Sequence, residues 1–196
     1  MKQRHFPSLV ALFIILTIFP AHSASAADNP PASRLFSESA FITGMGTGNV
    51  PEGHYQPVLL IWHLGMDLNK YCPILKDHAG KLSFIIEPQF NPVFDPETDF
   101  EAGVGIGLQY RYPLTKKLSA YVLGVTGPHY ISAAIQDQAN GFIFSSAAGV
   151  GVYFFLTEDS ALNVGYRFRH LSNAGIEHPN GGIDTHFAVI GYSLFF

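Results

Sequence analysis

Apolar and polar residues alternate with a period of two along most of the chain, which is typical of β-strands with two different faces. Pro, Gly, Asn and Asp fill the gaps between the alternating segments, and no segment shows a sustained helical period. The pattern predicts about eight strands, near 39–47, 55–66, 81–90, 100–112, 119–131, 141–156, 161–173 and 184–196. Lengths of roughly ten residues or more suit tilted strands that cross a membrane.

The segment 100–112 shows what the two faces carry. Its even positions, from Phe100 to Tyr112, are aromatic or apolar, whereas its odd positions are glycine, Glu, Gln or Arg. A glycine-rich polar face fits the crowded interior of a narrow barrel, and an aromatic face fits its lipid-facing outside. The predicted fold class is therefore all-β, an eight-stranded antiparallel transmembrane β-barrel.

Composition supports a membrane protein. Charged residues make up 13% of the chain and aromatic residues 14%, and no segment after the N-terminal region is apolar for long enough to be a spanning helix. Because only helices and closed barrels satisfy the backbone in lipid, a barrel remains. Nucleic acid is not expected as a partner, since the net charge is −4 and Lys and Arg do not cluster. The single cysteine allows no internal disulfide.

The N-terminus resembles a secretory signal. Lys2 and Arg4 precede an apolar run at 9–19, and small residues at 24–26 fit a cleavage site. We expect residues 1–26 to be a signal peptide, rather than a retained anchor, and residues 27–196 to form the barrel. The last strand ends in Phe196, as in the assembly signal of bacterial outer-membrane barrels, although the edge strand of a soluble β-protein could end in the same way. The expected location is the bacterial cell outer membrane.

The stretch from Arg169 to Asp184 combines Ser, His and acidic residues between two strands. If Arg167 and Arg169 faced lipid, each would cost about 2–4 kcal/mol near the midplane, so the even positions of strand 161–173 must face lipid. His170 and Ser172 then lie on the lipid-facing side. Asp184 has the same parity on the last strand, and an even-to-even antiparallel register brings it beside His170 or Ser172. Three groups of the Ser, His and carboxylate types thus converge on the outside of the barrel.

Topology indicates which end of the barrel carries these groups. With both termini in the periplasm, strand 161–173 runs outward and meets an extracellular loop at 174–183. His170 and Ser172 then lie near the outer leaflet, which is lipopolysaccharide in a bacterial outer membrane. A hydrolytic site at this depth would meet the acyl chains of lipid A.

The string His170-Leu-Ser172-Asn173-Ala-Gly175, followed by Pro179-Asn180 and an acid at 184, resembles the outer-membrane lipid A 3-O-deacylase (PagL) family. The resemblance covers about the last forty residues well. It implies an esterase that removes the 3-O-linked hydroxyacyl chain of lipid A, with lipid A or lipopolysaccharide as the partner and no metal or cofactor.

The resemblance also implies roles for individual residues. Ser172 would be the nucleophile, His170 its general base, and Asp184 the acid that orients the imidazole. Asn180, with backbone amides near Asn173 and Gly175, would bind the oxyanion.

The chain departs from the family at one of these positions. The family usually has Glu where this chain has Asp184, which is one methylene shorter. Glu177 in the preceding loop is an alternative partner for His170, although its position is not the family's.

Other functions stay open at this point. One is a non-catalytic barrel, either a structural or adhesion protein or a narrow channel; another is a different lipid-modifying barrel, such as an acyltransferase or phospholipase. His170, His178 and His186 do not have a recognisable metal-ligand spacing. The pattern does not decide between a monomer and a homodimer.

Overall fold

The alternating segments become nine antiparallel strands in the computed structural model, which describes residues 35–196. The strands are β1 (Glu38–Val50), β2 (Gly53–Tyr55), β3 (Val58–Asp67), β4 (Lys81–Val93), β5 (Asp99–Pro113), β6 (Leu118–Ile131), β7 (Gly141–Phe155), β8 (Ser160–Ser172) and β9 (Ile183–Phe195). A 3-10 turn at Pro73–Leu75 lies in the connection between β3 and β4. The predicted signal peptide, residues 1–26, lies outside the described residues.

Eight of these strands form a closed wall. Neighbours in sequence pair antiparallel from β3 to β9, and β1 pairs with both β3 and β9, which closes the barrel. The short β2 pairs only with the end of β1. The predicted strand 55–66 is thus divided near Pro57, whose nitrogen has no hydrogen to donate to a ladder. The eight-stranded antiparallel β-barrel expected from the sequence is confirmed.

The two faces of the wall have the predicted phase. On β8 and β9 the exposed apolar side chains have even numbers, whereas Arg167 and Arg169 are each 2% exposed and point into the lumen. The exposed apolar side chains on these two strands are Leu162, Val164, Tyr166, Ile190, Tyr192 and Leu194. Among residues 35–196, no helix is both long and apolar enough to span a membrane.

Two buried carboxylates neutralise the arginines inside the barrel. Glu87 accepts hydrogen bonds from Arg167 at 2.6 and 2.9 Å and contacts His63 Nδ1 at 2.7 Å. Glu101 pairs with Arg169 in the same two-pronged way, with Nη2 to Oε1 at 2.8 Å. Because each of these four charges is paired and hydrogen-bonded, none of the four is a lone buried ion.

Glycines on the interior face make room for the larger side chains. A Cβ atom at Gly165 would lie 2.3 Å from the Tyr121 hydroxyl, and one at Gly151 would lie 2.6 Å from it. The glycine-rich face that the sequence predicts for the interior is therefore a packing feature of a narrow barrel.

An apolar cluster fills one end of the lumen, directly under the two loops at 132–140 and 173–182. Its members come from β2, β4, β6, β7, β8 and β9 and from the loop after β6: Tyr55, Val93, Ile131, Ala133, Ile135, Ile143, Leu171 and Ile183. Leu171 and Ile183 anchor the interior face of β8 and β9 at the level where His170 and Asp184 emerge on the outside.

Candidate active site

His170 and Asp184 lie directly opposite each other on β8 and β9. The Nδ1 atom of His170 is 2.7 Å from Oδ1 of Asp184. A carboxylate can only accept, so the imidazole donates its Nδ1 hydrogen and leaves Nε2 available as a base. The two side chains are 45% and 61% exposed, so they lie on the outer surface of the barrel rather than in its lumen.

The shorter acid reaches the histidine because the register is direct. Asp184 needs no extra methylene when its strand position faces His170. Glu177, the alternative carboxylate, lies in the loop, where its backbone oxygen accepts from Asn173 Nδ2 at 2.7 Å. The carboxylate partner of His170 in the described structure is therefore Asp184.

Ser172 is the last residue of β8 and lies two positions after His170, on the same face. It is partly exposed, and its hydroxyl makes no hydrogen bond to the residues that the structure describes. Such a hydroxyl is free of protein partners among residues 35–196, at the loop end of the apolar outer surface.

A second serine lies beside His170, and sequence reasoning missed it. Ser146 on β7 is directly opposite His170, on the side away from Asp184. Its hydroxyl is 2.9 Å from that of Thr126 on β6. One polar row thus crosses four strands of the lipid-facing surface and consists of Thr126, Ser146, His170 and Asp184. The sequence did contain a signal for this serine. The even positions of strands 141–156 and 161–173 both face outward, which puts Ser146 and His170 on the same surface.

The predicted oxyanion groups come together in the loop after β8, but the backbone amides already have partners. The Asn173 N–H donates to Asn180 Oδ1 at 2.8 Å, and the Gly175 N–H donates to Asn173 Oδ1 at 3.0 Å. Because Asn180 accepts through Oδ1, its Nδ2 hydrogens point elsewhere, and they have no partner in residues 35–196. The side-chain amide of Asn180 is the donor that remains available here.

The other two histidines of this region, His178 and His186, are not part of the contact between His170 and Asp184. His178 lies in the loop, and His186 Nδ1 is 2.6 Å from the Tyr166 hydroxyl on the lipid-facing side of β8 and β9. Across residues 35–196, no group of three or more His, Cys, Asp or Glu side chains is arranged to hold a metal ion.

Comparison with known proteins gives a family match over the part of the chain that contains these residues. Residues 96–193 match the family described as lipid A 3-O-deacylase (PagL). A lipid A deacylase PagL from Bordetella bronchiseptica is 34% identical over 61 residues, which is 31% of this chain and 33% of that protein. The match thus spans about a third of the length of this relative.

Solved structures support the fold. The crystal structure of the outer membrane enzyme PagL has a TM-score of 0.56 at 17% identity. The alignment covers 82% of this chain and 100% of that chain. Neisserial surface protein A has a TM-score of 0.57 at 14% identity, with 81% of this chain and 96% of that one covered. At these identities the likeness concerns the barrel alone.

Proposed function

The chain belongs to the lipid A 3-O-deacylase (PagL) family, and on that premise we propose that it hydrolyses the ester that holds the 3-O-linked hydroxyacyl chain of lipid A. The family and the fold together indicate the bacterial outer membrane. The observation that carries the proposal is the 2.7 Å contact between His170 and Asp184 beside Ser172, on the lipid-facing side of the barrel. Acyl chains of the outer leaflet would reach the site there.

Each group has a defined step in the proposed reaction. The Ser172 oxygen attacks the ester carbonyl while His170 Nε2 takes its proton, and Asp184 stabilises the imidazolium through Nδ1. The tetrahedral intermediate collapses, and the sugar oxygen leaves with the proton from His170. Water, activated by His170, then hydrolyses the acyl-serine and releases a 3-hydroxy fatty acid.

The oxyanion of the tetrahedral intermediate would be bound by the side-chain amide of Asn180. Its Oδ1 is held by the Asn173 N–H, which orients the Nδ2 group. The amides of Asn173 and Gly175 would join only if the loop exchanged its internal hydrogen bonds for the substrate. All of these groups come from one chain, so the proposal requires no second copy.

Ser172→Ala tests the proposal, and Ser146→Ala is its matched control. The barrel and both variants are incubated with lipid A in detergent, and products are analysed by mass spectrometry. We expect the wild type and Ser146→Ala to release one 3-hydroxy fatty acid, and Ser172→Ala to lose at least about a thousandfold in rate, because the nucleophile is absent.

Three other results would contradict this assignment. Loss of activity in Ser146→Ala alone would make Ser146 the nucleophile, since it too lies beside His170. Folded wild-type barrels that leave lipid A intact but cleave phospholipid vesicles would indicate a phospholipase. An acyltransferase would move the chain to an acceptor lipid rather than release it as a free acid.

A further inference from the structure

The loop at 132–140, between β6 and β7, is hydrogen-bonded to the loop that carries Asn180. The Ala139 N–H donates to the Pro179 carbonyl oxygen at 2.8 Å, and the Gly181 N–H donates to the Asp137 carbonyl oxygen at 2.6 Å. Together with an isolated β-bridge between Gln138 and Asn180, these bonds hold the segment 179–182 in place.

Gln138 lies at the centre of this contact with 0% of its surface exposed. Its Oε1 accepts the N–H of Gly182 at 3.1 Å, and its Nε2 donates to the Ala139 carbonyl oxygen at 3.2 Å. A buried amide side chain is costly unless both of its ends are paired, and here both are. The side chain is therefore a specific clamp on Gly182.

Gly182 in turn lies against the imidazole of His170. It has a φ of +80°, and a Cβ atom at this position would be 2.6 Å from Cε1 and 3.2 Å from Nε2 of His170. The Nδ1 side of the ring is held by Asp184 at 2.7 Å. The ring is thus bounded on two sides, by a carboxylate and by the backbone of Gly182.

We propose that Gln138 is a positioning residue for the hydrolase site: by holding the Gly182 N–H, it fixes the Cε1–Nε2 edge of His170 and the neighbouring amide of Asn180. The inference rests on the proposed function for its effect on turnover. Gln138 contacts no reacting atom, so it acts on the orientation of the base and of the oxyanion donor. Small errors in such an orientation slow the chemical step more than they weaken substrate binding.

Gln138→Met is the test, because methionine has a similar length but neither hydrogen-bonding end. Gln136→Met is the matched control: it is the same change in the same loop at an exposed side chain. With lipid A as substrate, we expect kcat of Gln138→Met to fall about tenfold with KM within about twofold, in line with the loss of one buried hydrogen bond. Gln136→Met should behave as the wild type. An unchanged kcat in folded Gln138→Met would overturn the proposal.

A second readout does not depend on lipid A. Amide hydrogen exchange at Gly182 and the ring ¹⁵N signals of His170 are measured by NMR for the wild type and both variants. We expect about tenfold faster exchange at Gly182 and altered His170 signals in Gln138→Met only. Equal protection of Gly182 in all three proteins would refute the clamp. If the wild type does not hydrolyse lipid A, the proposed function fails, and these signals still decide the role of Gln138.

A further variant tests the same contact if Gln138→Met does not fold. Gly182→Ala leaves Gln138 intact but places a methyl group against the imidazole, at a φ that disfavours alanine. We expect a loss of kcat with KM retained, and full activity of Gly182→Ala would show that this contact does not position His170.

Discussion

Asp184 shows how one residue depends on register. The sequence shows that residue 184 is an acid, but it does not show whether the carboxylate contacts His170. An aspartate side chain is one methylene shorter than the glutamate that the family usually has. The structure places it directly opposite His170, where the two side chains meet at 2.7 Å. The cross-strand position, rather than side-chain length, makes the contact.

Substitution of Asp184 should separate its charge from its shape. In Asp184→Asn the shape is kept but the imidazolium loses its counter-charge, and the amide can hold the wrong tautomer of His170. We expect kcat on lipid A to fall roughly 10²–10⁴-fold, as for triad acids elsewhere. Asp184→Glu should give no gain, because the shorter side chain already makes the contact. Steady-state kinetics by mass spectrometry check both, and an Asp184→Asn variant as fast as the wild type would remove Asp184 from the proposed mechanism.

At the scale of the element, the inner face of β8 carries buried ion pairs and its outer face carries the candidate site residues. Arg167 and Arg169 point inward to Glu87 and Glu101, whereas His170 and Ser172 point outward. Arg169 forms a buried ion pair with Glu101 and precedes His170, the proposed base, in the chain. The strand that carries the site is therefore also fixed to the side chains inside the barrel. Tyr55 adds to this anchor by donating to Glu101 at 2.7 Å.

Arg169→Met should therefore destabilise the barrel strongly. Without Arg169, the buried Glu101 carboxylate keeps its contacts with Tyr55, Asn91 and His129 but loses its guanidinium partner. Breaking a buried pair in this way costs about 3–5 kcal/mol. Urea unfolding in lipid vesicles can be followed through the single tryptophan, Trp62. Lys81→Met is the control: Lys81 is 57% exposed and 3.7 Å from Asp67, so its loss should cost less than about 1 kcal/mol.

The double variant Arg169→Met/Glu101→Gln checks the cause of this effect. Removing the charge on both partners should restore part of the lost free energy of unfolding, since no buried carboxylate then lacks its guanidinium partner. Equal stabilities of wild type and Arg169→Met would mean that the pair contributes nothing to the fold.

For the whole molecule, the filling of the lumen in its middle and at the end below the loops at 132–140 and 173–182 argues against a channel. A cavity bordered by Glu87, Arg167 and Arg169 has a volume of only about 10 Å³, which is the space of roughly one water molecule. Apolar side chains of the loop after β6 and of the strand ends fill the lumen below the loops at 132–140 and 173–182.

We expect the folded barrel to give no stepwise ion conductance in planar lipid bilayers. The measurement compares it with a large porin reconstituted in the same bilayer. Stable, voltage-independent current steps from the purified chain would show that the lumen opens and would favour the channel alternative.

The sequence by itself was enough to determine the barrel and the phase of its faces. Period-two alternation needs only local side-chain direction, and Arg167 and Arg169 can avoid lipid in only one of the two phases. The same parity placed His170 and Ser172 outside, and the string from His170 to Asp184 identified the family.

Only the tertiary structure decided which groups meet. Ser146 comes beside His170 through the register of β7 against β8, and Asn180 occupies the Asn173 amide through a loop contact. Gln138 reaches Gly182 from a position 44 residues earlier in the chain. Such contacts depend on strand register and loop packing across the closed barrel, and alternation along a single strand contains no information about either.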